Sequence, residues 1–299
     1  MRVNAAARQR RTGRLEYVLE YIDAHPGETG DVEFLSALAS ISPFHFHRLM
    51  SSYLGESVSA YGRRRTLERA ALRLLLDGDS VTAASAQAGY ASSSAFARAF
   101  RRQFGQSPRA LAQALLARHA AGAAFLPAHL EYRQVEPCEV LALRRYGAQS
   151  VAAPAAWAGL LGGARGVSGA ASLIGIPCDT PELTPVERRR YDACIDPAHA
   201  PAEHELVRKR LGGGDHAVFA FRGTLAGLEA AHAAVLWHWY PRSGARLRPA
   251  PALHRLLSLD GAPGADCTVS AEILLPVERP VQRPRSAPRG MTLLDPGLH

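Results

Sequence analysis

Two stretches about fifty residues apart repeat one plan: SPFHFHRLMSSYL from Ser42 and SSSAFARAFRRQFG from Ser92. Each has a serine able to cap a helix, an apolar stripe at helical spacing, and an opposite stripe of arginine and small polar groups. In the first, Pro43 at the opening position loses only an N–H that a helix start leaves orphaned anyway. Phe46, Leu49, Met50 and Tyr53 then fall on a core face, and Phe44, His47, Arg48 and Ser51 on an exposed one. In the second, Phe96, Phe100 and Phe104 point inward, leaving Ser93, Ser94, Ala97, Arg98 and Arg101 outward. His45 and His47 are two residues apart and diverge on a helix, so they make no metal pair.

Each of these helices has a short helix before it. Val32 to Ser40 precedes the first, and Val81 to Ala88, turned by Gly89, precedes the second. A short helix, a tight turn and a second helix that exposes polar side chains is the helix-turn-helix plan, here used twice. A first helix from Arg14 to His25, ended by Pro26-Gly27, opens the domain. A long helical run from Ser57 to Gly78, with Tyr61, Leu67, Ala71, Leu74 and Leu75 inside, joins the two units.

Charge placement agrees with a DNA-facing head. The net charge is +8, and residues 1–118 hold 16 arginines against 10 acids, whereas the remainder holds 19 basic and 17 acidic residues. The excess lies in the N-terminal third and favours an anionic polymer as partner there. Lys209 is the only lysine. Cys138, Cys178, Cys194 and Cys267 form no CxxC pair, which excludes the usual zinc module and disulfide framework. No apolar run reaches the length of a membrane span and no signal segment opens the chain, so a cytoplasmic protein is expected. At 299 residues and 47% hydrophobic, it can bury two cores.

Beyond LLARHAAGAAFLPAH the period changes. Leu130 to Tyr146 reads as strand, and from Cys267 to Leu275 the residues Cys267, Val269, Ala271, Ile273 and Leu275 share one side. A weak repeat links RRYGAQS followed by AAPAAWAGLL to HAVFAFRGTLAG followed by LEAAHAAVLWHWYP. The expected folds are an all-α tandem helix-turn-helix domain and an α+β domain of duplicated strand-helix-strand-strand units in one curved antiparallel sheet. The expected boundaries are a basic tail at 1–11, the helical domain at 12–116, a linker at 117–128, the α+β domain at 129–278 and a disordered Pro/Arg-rich tail at 279–299.

SPFHFHRLMSSYLGESVSAYGRRRTLERAALRLL with AGYASSSAFARAFRRQFGQSPRAL resembles the DNA-binding domain of the AraC family of bacterial transcription regulators. The resemblance implies that Phe44, His47, Arg48 and Ser51 face the groove in the first unit, and Ser93, Ser94, Ala97 and Arg98 in the second. Arg101, Arg102 and the helix start at Ser92 would meet phosphates. Ala84 and Ser85 stand where that family prefers a bulky aliphatic followed by alanine.

IPCDTPELTPVERRRYDACI, AVFAFRGTLAG, WYPRSG and AEILLPVE resemble the GyrI-like effector-binding domain. That resemblance implies an aromatic-lined pocket between two halves, with Trp239, Phe219, Tyr146 and Trp157 as lining candidates and His254 and Glu272 as further ligand-binding candidates. In PALHRLLS, His254 and Leu256 replace the acidic residue and tyrosine usual in this strand, so the ligand's charge stays open; Glu272 survives on the side opposite the Cys267 stripe. Together the resemblances imply a transcription regulator whose partners are double-stranded DNA, a small aromatic or hydrophobic effector and RNA polymerase, with no cofactor, metal, membrane or catalytic residue. Alternatives are a GyrI-like hydrolase using His254 as base beside Glu272, or a ligand-sequestering resistance protein.

Overall fold

The computed structural model describes residues 2–25, 31–120, 129–162, 173–201, 206–264 and 266–278. The Pro26-Gly27 helix end, most of the expected linker and the 279–299 tail lie outside them.

The head is made of seven helices among the described residues: α1 (Arg2–Ala24), α2 (Val32–Leu38), α3 (Pro43–Leu54), α4 (Val58–Leu72), α5 (Val81–Gln87), α6 (Ser93–Phe104) and α7 (Pro108–Ala120). α1 starts at Arg2, so the expected basic tail is instead the first half of a helix. Its alanines, arginines and glutamine favour helix without any apolar stripe to announce it. Local chemistry sets the other starts. Asp31, Ser57, Ser80 and Ser92 each accept a backbone N–H three residues on, at 2.8, 3.2, 3.1 and 3.2 Å. Ser42 makes no such bond and relies on Pro43. Gly55 and Gly105 close α3 and α6 at φ 68° and 74°, in the left-handed region that favours glycine. The turn of the second unit uses Gly89 at φ 74°, and that of the first uses Ser40 at φ 53°.

The head has two cores. Leu15, Val18, Leu19 and Ile22 of α1 pack with Leu35, Phe46, Met50 and Tyr61 in the first unit. Phe96, Phe100, Leu111 and Leu115 of the second unit join Leu67, Leu75 and Leu76 in a cluster that runs without a break into the α+β domain. The domains are separate in sequence but not in packing.

The α+β domain comprises β1 (Leu130–Val135), β2 (Cys138–Tyr146), α8 (Gln149–Leu161), β3 (Leu173–Pro177), β4 (Arg190–Ile195), β5 (Val207–Leu211), β6 (Gly214–Thr224), α9 (Gly227–Ala234), α10 (Tyr240–Ser243), β7 (Arg246–Leu247), β8 (Leu253–Asp260) and β9 (Thr268–Glu278). The main path of the sheet runs β1-β6-β9-β8-β3-β4-β2-β5, and all its pairings are antiparallel. β2-α8-β3-β4 and β6-α9-β8-β9 are therefore matching halves that meet where Gly175 pairs with His254. The repeat is longer than the expected strand-helix-strand-strand unit. Each half has a leading strand, β1 or β5, that leaves its own half and pairs with the first strand of the other, β1 on β6 and β5 on β2.

Helices α8 and α9 cover one sheet face, onto which Tyr191, Ala193, Ile195, Val269, Ala271 and Ile273 project. Gly175 lies on this face, where an added Cβ would come within 2.0 Å of the Tyr191 hydroxyl and 2.8 Å of its ring carbon. Gly175→Ala is expected to destabilise this domain by about 1–3 kcal/mol, read as a lower denaturation midpoint. Tyr191→Phe should relieve only part of the clash, because the ring carbon remains.

Candidate functional site

The two serine-headed helices present their polar stripes outward. Phe44 is 81% exposed, a large apolar ring left in solvent at the start of α3. His47 and Arg48 are exposed beside it, while Ser51 is half-buried. On α6, Ser92, Ser94, Arg98, Arg101 and Arg102 are exposed, and Ser93 and Ala97 are half-buried. Ser93 is partly held within the head, since its hydroxyl lies 3.3 Å from that of Ser85, which also donates to the Thr82 carbonyl at 3.0 Å. This pairing lets a serine occupy the buried position on α5 where the sequence departs from the family pattern. Arg48, Arg98, Arg101 and Arg102 have no acidic partner among the described residues, so their donors are open to an anion.

The first unit and α4 meet the sheet through a dense ionic interface. Asp192, on the face opposite α8 and α9, is paired with Arg144 at 2.7 Å and Lys209 at 3.1 Å. Arg144 continues to Glu16 of α1, and the chain's lone lysine continues to Glu20 at 2.5 Å. Arg190 holds Asp179 at 2.7 Å and Asp23 at 3.2 Å, and donates to the Tyr61 hydroxyl at 2.5 Å. Arg65 bridges Asp23 and Asp179, both at 2.7 Å. Burial alone would raise the Asp192 carboxyl, but Arg144 and Lys209 hold it far below the usual carboxylate range. Burial likewise opposes Asp23, and Arg65 and Arg190 bring it down. An isolated lysine followed into a structure is the one sequence signal that would have found this interface.

The six expected ligand residues are not gathered on one cavity. Trp157 is fully buried under α8 and donates to the Tyr191 hydroxyl at 3.1 Å. Phe219 and Trp239 pack edge-to-face with centroids 4.8 Å apart. Tyr146 borders a separate small cavity of about 200 Å³ with Tyr53 and Tyr61. His254 is wholly buried, with Nε2 2.9 Å from His232 Nδ1, and burial with its neighbour His232 pushes it well below the ordinary histidine range. Glu272 lies on the other sheet face, 2.9 and 3.0 Å from Arg133 and 2.7 Å from Arg255. Burial raises it, but Arg133 and Arg255 outweigh that and lower it. In the register His254 sits opposite Ile273 whereas Glu272 sits opposite Arg255, so the two side chains face opposite ways. The base-and-acid pair considered for a hydrolase is therefore not assembled.

A larger cavity lies elsewhere, between the head and the α+β domain. It measures about 960 Å³ and is bordered by Arg65, Arg69 and Leu76 of the head and by Gln149, Glu182, Glu229, His232 and Trp237 of the second domain. That volume suits a drug-sized molecule. No group of three or more metal-ligating side chains occurs among the described residues, and no helix there is long and apolar enough to cross a membrane.

Comparison with known proteins agrees with this architecture. A helix-turn-helix domain family matches residues 35–114, and the GyrI-like small molecule binding domain family matches residues 130–278. Through its two domains the chain belongs to the AraC-type helix-turn-helix proteins that carry a GyrI-like domain. The Right origin-binding protein of Escherichia coli is 28% identical over 96 residues, which is 32% of this chain and 33% of that protein. The HTH-type transcriptional activator RhaS of Escherichia fergusonii is 31% identical over 100 residues, 33% of this chain and 36% of that protein. The chain thus spans about a third of the length of the curated relatives it matches. Among solved structures, the DNA-binding domain of AdpA in complex with a target DNA is 34% identical, covers 36% of this chain and 96% of that one, and has a TM-score of 0.32.

Proposed function

We infer that this protein is a sequence-specific DNA-binding transcription regulator, controlled by a small molecule held by its GyrI-like domain. The observation that carries the reading is the doubled reading face. Two helices of one plan expose Phe44, His47 and Arg48 on α3 and Ser94 and Arg98 on α6, with arginines that no acid among the described residues engages. Arg48 and Arg98 would read bases, and Arg101, Arg102 and the Ser92 helix start would hold phosphates. Two reading units in one chain let a monomer span two successive grooves. RNA polymerase is the partner such a regulator acts on, and the cytoplasm is where it would do so.

The route from ligand to head runs through the ionic interface and the shared core, which tie the sensor to α1, α4 and α7. A ligand regulates only if it binds two arrangements of the domains unequally. The test is selection of bound fragments from the DNA flanking the protein's own coding region, followed by titration of the selected site. Arg48→Ala is expected to cost about 1–3 kcal/mol on that site and little on random DNA. Equal losses on both would move Arg48 to the phosphates, and failure to select any sequence would remove the regulator reading.

A further inference from the structure

The basic segment expected as a tail is helical, and it takes no part in the site described above. Residues 2–14 hold Arg2, Arg8, Arg10, Arg11 and Arg14 and no acid, whereas residues 15–24 hold Glu16, Glu20 and Asp23 and no arginine or lysine. The two halves form one continuous helix, α1. Cations at a helix start and anions at its end oppose the helix dipole, so this segregation does nothing for the helix itself. For the acidic half its use is visible: Glu16 lies on Arg144, Glu20 on Lys209 at 2.5 Å, and Asp23 on Arg65 and Arg190 at 2.7 and 3.2 Å. The basic half has no counterpart. Arg11 is exposed and engages no acid among the described residues, where Arg14 makes one hydrogen bond, to the Ser40 carbonyl at 3.3 Å.

Two contacts fix where that half lies. α2 returns alongside α1, with Phe34 against Tyr21 at 5.3 Å between ring centroids and Ser40 at Arg14. Asp31 and Glu33, at the start of α2, are therefore beside the Tyr21 end and away from the arginines. Ser40, at φ 53°, is the turn residue of the first unit, two residues before the Ser42 that heads α3. A reading helix enters the groove by its N-terminal end, so the turn before it comes up to the DNA backbone, and α1 leaves the body of the head there. From Arg14 to Arg2 the helix runs about 18 Å at about 1.5 Å per residue, the length of about five steps along one DNA strand. Val3 is the only apolar residue larger than alanine in residues 2–14. A protein interface needs large apolar or aromatic anchors at its centre and a membrane needs an apolar face, whereas a phosphate backbone asks for charge alone.

We propose that the basic half of α1 is a phosphate-binding arm that lies on the DNA backbone outside the half-site read by α3, lengthening the footprint of the first unit by about five base pairs. This rests on the DNA-binding reading above and adds to it a surface outside the two helix-turn-helix units. Contacts of this kind add affinity and fix register without sequence preference. α1 then carries DNA at one end and the sensor at the other, through Glu16 on Arg144, Glu20 on Lys209 and Asp23 on Arg190. A shift of the sheet against α1 therefore reaches the flanking phosphates directly.

The test uses the full chain and two duplexes, the site selected from the flanking DNA and one of random sequence, each titrated over a series of salt concentrations. Arg8→Gln, Arg10→Gln and Arg11→Gln together should weaken both duplexes about tenfold or more and lower the slope of log affinity against log salt by about 2–3, the counterion release of three lost contacts. Lysine at the same three positions should restore most of the affinity, since it meets phosphate as a point charge. Arg208→Gln with Arg222→Gln, two exposed arginines of the sensor, should leave affinity and slope unchanged. In wild type, ethylation of phosphates outside the first half-site should interfere with binding, a readout that needs no variant to fold. A glutamine variant that keeps its helical circular dichroism and the wild-type slope on both duplexes overturns the arm; if it also retains RNA polymerase less well, the partner of this half is a protein. An interference pattern that stops at the two half-sites overturns the arm as well, and it alone decides should the glutamine variant lose helix. With no sequence selected but a slope on random DNA that still falls by about 2–3 in the glutamine variant, the regulator reading fails and the arm stands.

Discussion

Replacing Arg190 with leucine should destabilise the docked form of the protein by about 3–5 kcal/mol, the scale expected when one partner of a buried ion pair is removed. Arg190 is 2% exposed at its side chain and lies against Asp179, which is not exposed at all. It donates to Asp179 through two nitrogens at 2.9 and 2.7 Å and stacks over the Tyr61 ring at 5.5 Å from its centroid. Without it Asp179 keeps only Arg65 as a charged partner, and the Tyr61 hydroxyl still faces Asp23 at 3.0 Å. The loss belongs to the interface and not only to β4, because Asp23 and Tyr61 are head residues. Denaturant titration with a fluorescence pair on α1 and β5 would follow both stability and separation of the domains. Leucine at both Arg190 and Asp179 should be less damaging than the two single losses combined, since no unpaired buried charge then remains. Full additivity, or a loss below about 1 kcal/mol for Arg190→Leu, would show that the network is not buried in solution.

The same interface has a signed pH dependence. Asp23, Asp179 and Asp192 all have folded pKa values below their ordinary 3.8. Groups depressed in the folded state stabilise it above the unfolded value and lose that contribution as pH falls through the folded one. The docked arrangement should therefore hold at constant strength above about pH 5 and loosen only in stronger acid.

Much of the head was legible because its signals are local. A serine cap, a proline at the opening position and phenylalanines four residues apart fix α3 and α6 without reference to the remainder of the chain. The first half of α1 was not, since AAARQRR has propensity but no stripe. In the sheet, the alternation through Val269, Ala271 and Ile273 placed Glu272 on the far side correctly, yet nothing near Glu272 announces Arg133, which is 139 residues away. The crossed leading strands are equally hidden, because VRKRL reads as a charged surface segment until Lys209 turns inward to Asp192. The cleft arises only when domains dock through contacts such as Arg65 to Asp179, 114 residues apart, so neither its existence nor its lining could be read from spacing. Buried aromatics were recognisable as such, but sequence pattern does not separate those that line a cavity from those that fill one.

Trp157 puts that distinction to the test. It has no exposed surface, packs against β2 and β4 from α8, and donates its indole N–H to the Tyr191 hydroxyl at 3.1 Å. Tyr191 is in turn the side chain that Gly175 makes room for, at the seam between the two halves of the sheet. Trp157→Ala would leave a void the size of a bicyclic ring and a buried hydroxyl without its donor, so a loss of about 3–5 kcal/mol is expected for this domain. Trp157→Phe keeps most of the volume and loses the N–H, and should cost less than half as much. Chemical denaturation followed by far-ultraviolet circular dichroism measures both. A Trp157→Phe chain of undiminished stability that binds effector more weakly would put the ligand at the seam, and the core role assigned to this tryptophan would fall.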